Sequence, residues 1–290
     1  MNKGQRDNIA VITGASAGIG LALTRKLLSD NWQVVALNRS DFPSDDKEIQ
    51  EAVQRGWLRI YKVDDLADYA ALRRALEAIK SKERRIDILF NNAGRSFSEL
   101  HYSKQGREYH YELMTVVPYI ILMELKGLIQ NGRFKTVINT SSSALKFTKE
   151  FTIESLERPT TFRKLIGPYA ASKLALSLWT HAIAPQLAKD DIKIRSVDPG
   201  GNNTLRKGKK SGLPLVVALL MKLFFSPPTH GASRLYEGAL GQHRNETGVF
   251  LLKGQAAELK YKDQARSILD RINAIYEHEF CADFTSRTAP

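Results

Sequence analysis

Tyr169 and Lys173 stand four residues apart in GPYAASKLAL (167–176), with only small residues between them. On a helix that spacing puts a phenol and an ammonium on one face. A tyrosine has an ordinary pKa of about 10, too high for ready proton exchange at neutral pH. A cation about 4 Å away, at an effective dielectric of about 20, stabilises the phenolate by roughly 4 kcal/mol. At about 1.36 kcal/mol per pKa unit, that lowers the phenol by up to about 3, less whatever desolvation restores. The pair predicts a tyrosine general acid/base tuned by its lysine. Most isolated YxxxK matches are ordinary helix-surface residues, so the rest of the chain has to decide.

A second chemical feature lies near the start. TGASAGIG (13–20) spaces Gly14, Gly18 and Gly20 as GxxxGxG between an apolar run and a helical pattern. Glycine permits a tight turn and close backbone approach, and the helix beyond it offers free N–H groups to a pyrophosphate. The next apolar run ends in LNRSD (37–41). A site for NAD carries an acidic residue here, on the ribose 2′-hydroxyl. This chain has Asn38, Arg39 and Ser40, and a guanidinium suits the extra phosphate of NADP. Asp41, one register step on, would suit NAD instead. The reading favours NADP, with Arg39 as its phosphate ligand.

The elements that must position these groups alternate along the chain. Strands are expected at 8–14, 32–38, 57–63, 86–94, 134–144, 192–200 and 248–254, from short β-branched or apolar runs. Helical spacing is expected over 18–30 (Ile19, Leu23 and Leu27 on one face), 69–82 (Leu72, Leu76 and Ile79), 107–130 and the segment carrying Tyr169. Alternating βαβ units with apolar strands imply an α/β, Rossmann-like, doubly wound parallel sheet. No linker or repeat interrupts it, so a single domain is expected: a Rossmann core over about 8–254 and a helical extension over about 256–280. Segments 145–167 and 201–228 depart from the alternation.

Composition narrows the class. The 290 residues are 43% hydrophobic and 26% charged, the balance of a globular protein with a sizeable core. The one cysteine, Cys281, rules out an internal disulfide, and no Cys/His cluster has zinc spacing, so no metal is expected. The opening residues hold no long apolar run, so no signal peptide is expected, and a reducing, cytoplasmic setting is the simplest reading. The net charge of +12 is scattered. LRKGKK (205–210) and KERR (82–85) are its densest groups, without a nucleic-acid motif beside them.

TGASAGIG, NNAG (91–94), TSSSA (140–144), YAASK (169–173) and PGGNNT (199–204) fall in the order and rough spacing of the short-chain dehydrogenase/reductase family, which the chain resembles over about 8–254. The stretch before YAASK and the apolar run after PGGNNT resemble the retinol dehydrogenase and WW-domain oxidoreductase subgroup, whose members act on lipophilic carbonyls and alcohols. The resemblance implies that Gly14, Ser16, Gly18, Ile19 and Gly20 line the cofactor diphosphate. It puts Asp65, or its neighbour Asp64, on the adenine, and Asn91, Ala93 and Gly94 along the cofactor. It makes Ser142, Tyr169 and Lys173 catalytic, with Tyr169 and Lys173 also touching the cofactor, and sets Pro199, Gly200 and Thr204 beside the nicotinamide. Ser142 would stabilise the carbonyl oxygen and Tyr169 would deliver its proton.

One position departs from the family pattern. Aligned on Gly106 and Pro118, Met114 stands where relatives carry an asparagine that shapes a helix kink and holds a water relaying protons to the lysine. A thioether is a weak acceptor and no donor. The implied activity is NADP-dependent carbonyl reduction or alcohol oxidation on a hydrophobic small molecule. A non-redox cyclase or dehydratase and a nucleotide-sensing interaction protein are the alternatives. The apolar run within 213–225 reads as part of a substrate lid spanning about 201–228. Membrane-surface contact beside RKGKK (206–210) is the less favoured reading. Relatives often pair through their long helices, so a homo-oligomer is compatible with the pattern.

Overall fold

The computed structural model describes residues 6–201 and 226–282. Seven parallel strands form the sheet: β1 Asn8–Thr13, β2 Trp32–Asn38, β3 Leu58–Lys62, β4 Ile88–Asn91, β5 Thr136–Thr140, β6 Lys193–Val197 and β7 Val249–Leu252. A short antiparallel strand, β8 Gln255–Ala257, closes one edge. The order is β3-β2-β1-β4-β5-β6-β7-β8. The chain therefore leaves β1 in one direction and returns on its other side at β4. Such a reversal opens a crevice at the carboxyl ends of the strands, where open α/β sheets bind ligands.

Period-two alternation sorts the strand side chains onto two faces. Val11, Val35, Leu89, Val137 and Ile194 join one core. Ala10, Ile12, Val34, Ala36, Ile88, Phe90 and Ile138 join the other. Helices α1 Gly18–Ser29, α2 Lys47–Gln54 and α8 Pro228–Leu240 cover the second face. Helices α3 Tyr69–Lys82, α5 Val117–Gln130 and α7 Pro168–Ala188 cover the first. Helix α9 Ala265–Ile275 and a π-helical segment, Tyr276–Cys281, lie over the outer flank of α5 and α7. Tyr119 of α5 donates to Asn273 Oδ1 at 2.6 Å, and Tyr276 donates to Glu124 Oε1 at 2.9 Å.

Some elements lie outside the expected pattern. Helix α2 is capped by Asp46, whose carboxylate accepts from the Ile49 N–H, yet it buries only Ile49 and Ala52. Segment 145–167 holds α6 Ile153–Glu157 with a Thr152/Ser155 capping box. The helix expected over 107–130 is broken into α4 Tyr109–Tyr111, a π-helical turn Glu112–Val116, and α5. Most of the expected lid, including the basic run 206–210 and the apolar run 213–225, lies outside the described residues. Among the described residues, no helix is long and apolar enough to cross a membrane, and no group of three or more His, Cys, Asp or Glu could hold a metal.

Candidate active site

The turn between β1 and α1 is built to leave backbone bare. Gly14 and Gly18 have φ of 69° and 53°, values that disfavour a side chain. A Cβ at Gly20 would fall 2.0 Å from the Gly14 carbonyl oxygen and 2.8 Å from Asn92 Nδ2. Helix α1 has no acidic residue in its first turn, so its positive end is uncompensated. Ser16 is buried and Ile19 half-buried in the same turn. A pyrophosphate fits this cradle: a helix N-terminus without a side-chain cap, a favourable dipole, and glycines where a side chain would intrude.

The NNAG segment is fastened to this turn by two residues that motif reasoning left without a role. The Thr13 hydroxyl accepts from the backbone N–H groups of both Asn92 and Ala93, each at 2.9 Å. Asn92 Nδ2 donates back to the Thr13 carbonyl at 3.1 Å. Ala93 lies against Gly14, whose Cβ position is 3.1 Å from Ala93 Cα. Asn91 points elsewhere. Its amide is buried, donating to Asn139 Oδ1 at 2.9 Å and to the Pro118 carbonyl at 3.3 Å. Its side chain thus ties β4 to β5 and the start of α5 instead of lining the crevice.

Across the crevice, the end of β5 meets the start of α7. Pro168 opens α7 as a preset first residue behind Gly167. A Cβ on Gly167 would fall 2.8 Å from Arg163 backbone atoms, so the entry to the helix needs glycine. Of the three serines, Ser141 turns inward, 2.8 Å from Ser177 Oγ. Ser142 Oγ accepts from the Ala144 N–H at 3.2 Å, and its hydroxyl lowers the Tyr169 phenol. Ser143 donates its backbone N–H to Asp198 Oδ1 at 3.1 Å, as does Gly200. Asp198, unmarked by motif reasoning, is a buried carboxylate that joins the turn after β5 to the Pro199–Gly200 loop.

The electrostatics differ from the spacing argument. Lys173 Nζ is buried and donates to the Thr140 carbonyl at 2.6 Å. Burial pushes the lysine down to about 7. Burial pushes the Tyr169 phenol up, and Asp198 adds to this, while the Ser142 hydrogen bond pulls it down. The expected lysine-driven depression of the phenol is therefore not what the protein alone provides: the cation that was to stabilise the phenolate is itself destabilised by desolvation.

A family model described as short chain dehydrogenase matches residues 8–154. The chain belongs to the short chain dehydrogenase family. The dehydrogenase is 26% identical over 264 residues to the polyprenol dehydrogenase of Danio rerio, covering 88% of this chain and 81% of that protein. It is 25% identical over 286 residues to the retinol dehydrogenase 14 of Homo sapiens, covering 92% and 84%. Among solved structures it is similar to the L-sorbose reductase from Gluconobacter frateurii complexed with NADPH and L-sorbose. The TM-score is 0.62 at 20% identity, covering 87% of this chain and 96% of that one. A 4-hydroxyisoleucine dehydrogenase complexed with NADH is similar at TM-score 0.62 and 20% identity, covering 84% and 96%. At such identity these two likenesses speak for the fold alone.

In this dehydrogenase Met114 sits in the π-helical turn, fully buried against the crevice floor. A Cβ on Gly94 would fall 2.8 Å from Met114 Sδ and 3.6 Å from Lys173 Nζ. The thioether thus lies beside the lysine and lends it no hydrogen bond, and Thr140 Oγ1 nearby is buried without a partner. The π turn persists without an asparagine. Thr115 Oγ1 donates to the Ser172 carbonyl at 2.9 Å, and Trp179 Nε1 donates to the Thr115 carbonyl at 3.2 Å.

At the other end of the crevice, Arg39 is exposed at the tip of β2, with no salt bridge among the described residues. Asp41 pairs with Lys62 at 2.5 Å. Asp65 is half-buried, accepting from the Ala67 N–H at 2.9 Å and from the Tyr109 hydroxyl, whereas Asp64 is exposed. Gly200 has φ of 79° and packs its Cα face toward the Arg234 guanidinium. Thr204 lies outside the described residues.

Proposed function

We propose that this dehydrogenase uses NADP to interconvert the alcohol and carbonyl of a hydrophobic small molecule. The observation that carries the reading is buried Lys173 on the Thr140 carbonyl at the end of β5, one turn along α7 from Tyr169, across the crevice from a glycine turn where a side chain would intrude. Gly14, Ser16, Gly18, Ile19 and Gly20 would hold the diphosphate, with Ala93 and Gly94 along the middle of the cofactor and Asp65 at the adenine. Arg39, exposed at the tip of β2 with no salt bridge among the described residues, favours a 2′-phosphate. When bound, the nicotinamide supplies a hydride to the carbonyl carbon or accepts one from the alcohol.

The remaining steps belong to the chain. Ser142 donates a hydrogen bond to the substrate oxygen, where negative charge develops. Tyr169 gives its proton to that oxygen in reduction and takes it back in oxidation. A phenol held above its ordinary value is a protonated donor at neutral pH. Lys173, lowered to about 7 by burial, would serve as the reservoir that restores the phenol's proton. The names polyprenol and retinol dehydrogenase among the relatives support a lipophilic substrate, as do the exposed side chains of Leu165 and Ile166 just before the catalytic turn.

Screening NADPH and NADH consumption against lipophilic ketones and aldehydes tests the reading. Turnover with NADPH that falls about a thousandfold in Tyr169→Phe, with cofactor binding retained, is expected. Full activity in that variant would overturn the mechanism.

A further inference from the structure

Glu108 and His110 form a buried polar pair that the mechanism does not use. They are 0% and 1% exposed at the start of α4. Glu108 caps that helix, one carboxylate oxygen accepting from the Tyr111 N–H at 3.0 Å. Its other oxygen lies 2.6 Å from His110 Nδ1. On the far side of the imidazole, Nε2 accepts the backbone N–H of Phe97 at 3.1 Å. A carboxylate only accepts and an amide N–H only donates. The two neighbours together fix the neutral imidazole with its proton on Nδ1, since a proton on Nε2 would face another donor.

This ring stands between the proton donor and the loop after NNAG. Its centroid is 5.9 Å from that of Tyr169, at 85°, an edge-to-face contact. It is 4.9 Å from that of Phe97, at 75°. Phe97 carries the loop with it: its ring also packs on His101 and Tyr109 and lies under the Arg95 guanidinium. The same loop begins at Gly94, against Met114 and near Lys173. The loop after NNAG and the phenol are thus both in contact with one side chain. Packing alone would not select this pair, because burying a carboxylate and an imidazole costs desolvation that apolar residues of similar volume avoid.

We propose that His110, held in one tautomer by Glu108, is a positioning residue that sets the Tyr169 ring and the 95–101 loop in register, so that substrate wall and proton donor move as a unit. This rests on the reading of Tyr169 as the proton donor. His110→Phe keeps a ring against Tyr169 and removes the acceptor for Phe97. His110→Ala removes both. In the NADPH complex, hydrogen exchange at the Phe97 amide is expected to quicken at least about tenfold in both variants. The KM for the best carbonyl found in the screen should rise about tenfold in His110→Phe, with kcat within about threefold. In His110→Ala, kcat should fall a further ten- to hundredfold, about 1.4–2.7 kcal/mol. The Kd for NADPH should stay within about twofold in both, because the diphosphate cradle lies elsewhere.

If His110→Phe fails to fold because it strands the Glu108 carboxylate, the double variant Glu108→Gln/His110→Phe carries the same test with the same expected outcomes. Unchanged Phe97 exchange and unchanged KM would overturn the inference. So would an NADPH Kd that rises in step with KM, the mark of general loosening. Absence of carbonyl turnover in the unmodified enzyme would instead overturn the oxidoreductase reading, while the exchange measurement would still decide the contact.

Discussion

Replacing Lys173 with methionine should stabilise the protein while stopping turnover. The lysine has an ordinary value of 10.5 and is held at about 7 by burial. Between those values the unfolded chain binds a proton that the folded chain does not, so stability rises with pH across that window and is lowest below about 7. A displacement of roughly 3 pKa units or more corresponds to about 4 kcal/mol of folding free energy forgone at pH 7. Against this, methionine forfeits the hydrogen bond from Nζ to the Thr140 carbonyl, a charged-donor bond of about 1.5–3 kcal/mol. The net expectation for Lys173→Met is a gain of about 1–3 kcal/mol, or roughly 2–5 °C in Tm. Thermal melts of both proteins without cofactor, at intervals from about pH 6 to about pH 9.5, measure it. The gap should be widest at the acid end and narrow toward the alkaline end. A methionine variant less stable at pH 6, or a gap that does not change with pH, would show that the lysine is not paying for burial in this way.

Arg39→Asp should weaken NADPH binding about ten- to a hundredfold and narrow or reverse the preference over NADH, read by fluorescence titration of both. Gly20→Ala should cost more than about 2 kcal/mol and abolish dinucleotide binding, because its methyl would meet the Gly14 carbonyl at 2.0 Å. Met114→Asn buries an amide beside Gly94 and should cost about 1–3 kcal/mol by denaturant unfolding. If it multiplied kcat many-fold, proton delivery past Lys173 would be shown to limit the present enzyme.

Much of the frame was legible because the strands are apolar runs of four to seven residues punctuated by glycine or polar turns. The glycine turn was legible because glycine is demanded by backbone geometry, which leaves a mark in sequence. Helix α2 left little mark: it is short and buries two side chains. The π turn left none, because Met114 stands where a polar residue was the family's cue. REYHYE (107–112) looks like a solvated helix start, yet Arg107, Glu108, His110 and Glu112 are all nearly inaccessible. They pair with one another and with Tyr69, Phe97 and Glu279, partners up to 172 residues away, so no local period could reveal their burial. The tyrosine–lysine pair was found by spacing, but its electrostatic balance was not. Coulomb arithmetic at one remove counts the attraction and omits the cost of dehydrating the lysine itself.

The carboxyl-terminal helix has a consequence for assembly. Ile268, Leu269, Ile272 and Phe280 share one core with Trp179 and Ile183 of α7, and Arg107 reaches across to Glu279. A second molecule approaching that flank would meet α9 and its hydroxyl and carboxylate clasps before the part of α7 beneath them. Pairing of two copies through the face of α7 that α9 covers would first require peeling away a segment of the protein's own hydrophobic interior, and the loosened Arg107 would carry that disturbance to the turn that bears Met114.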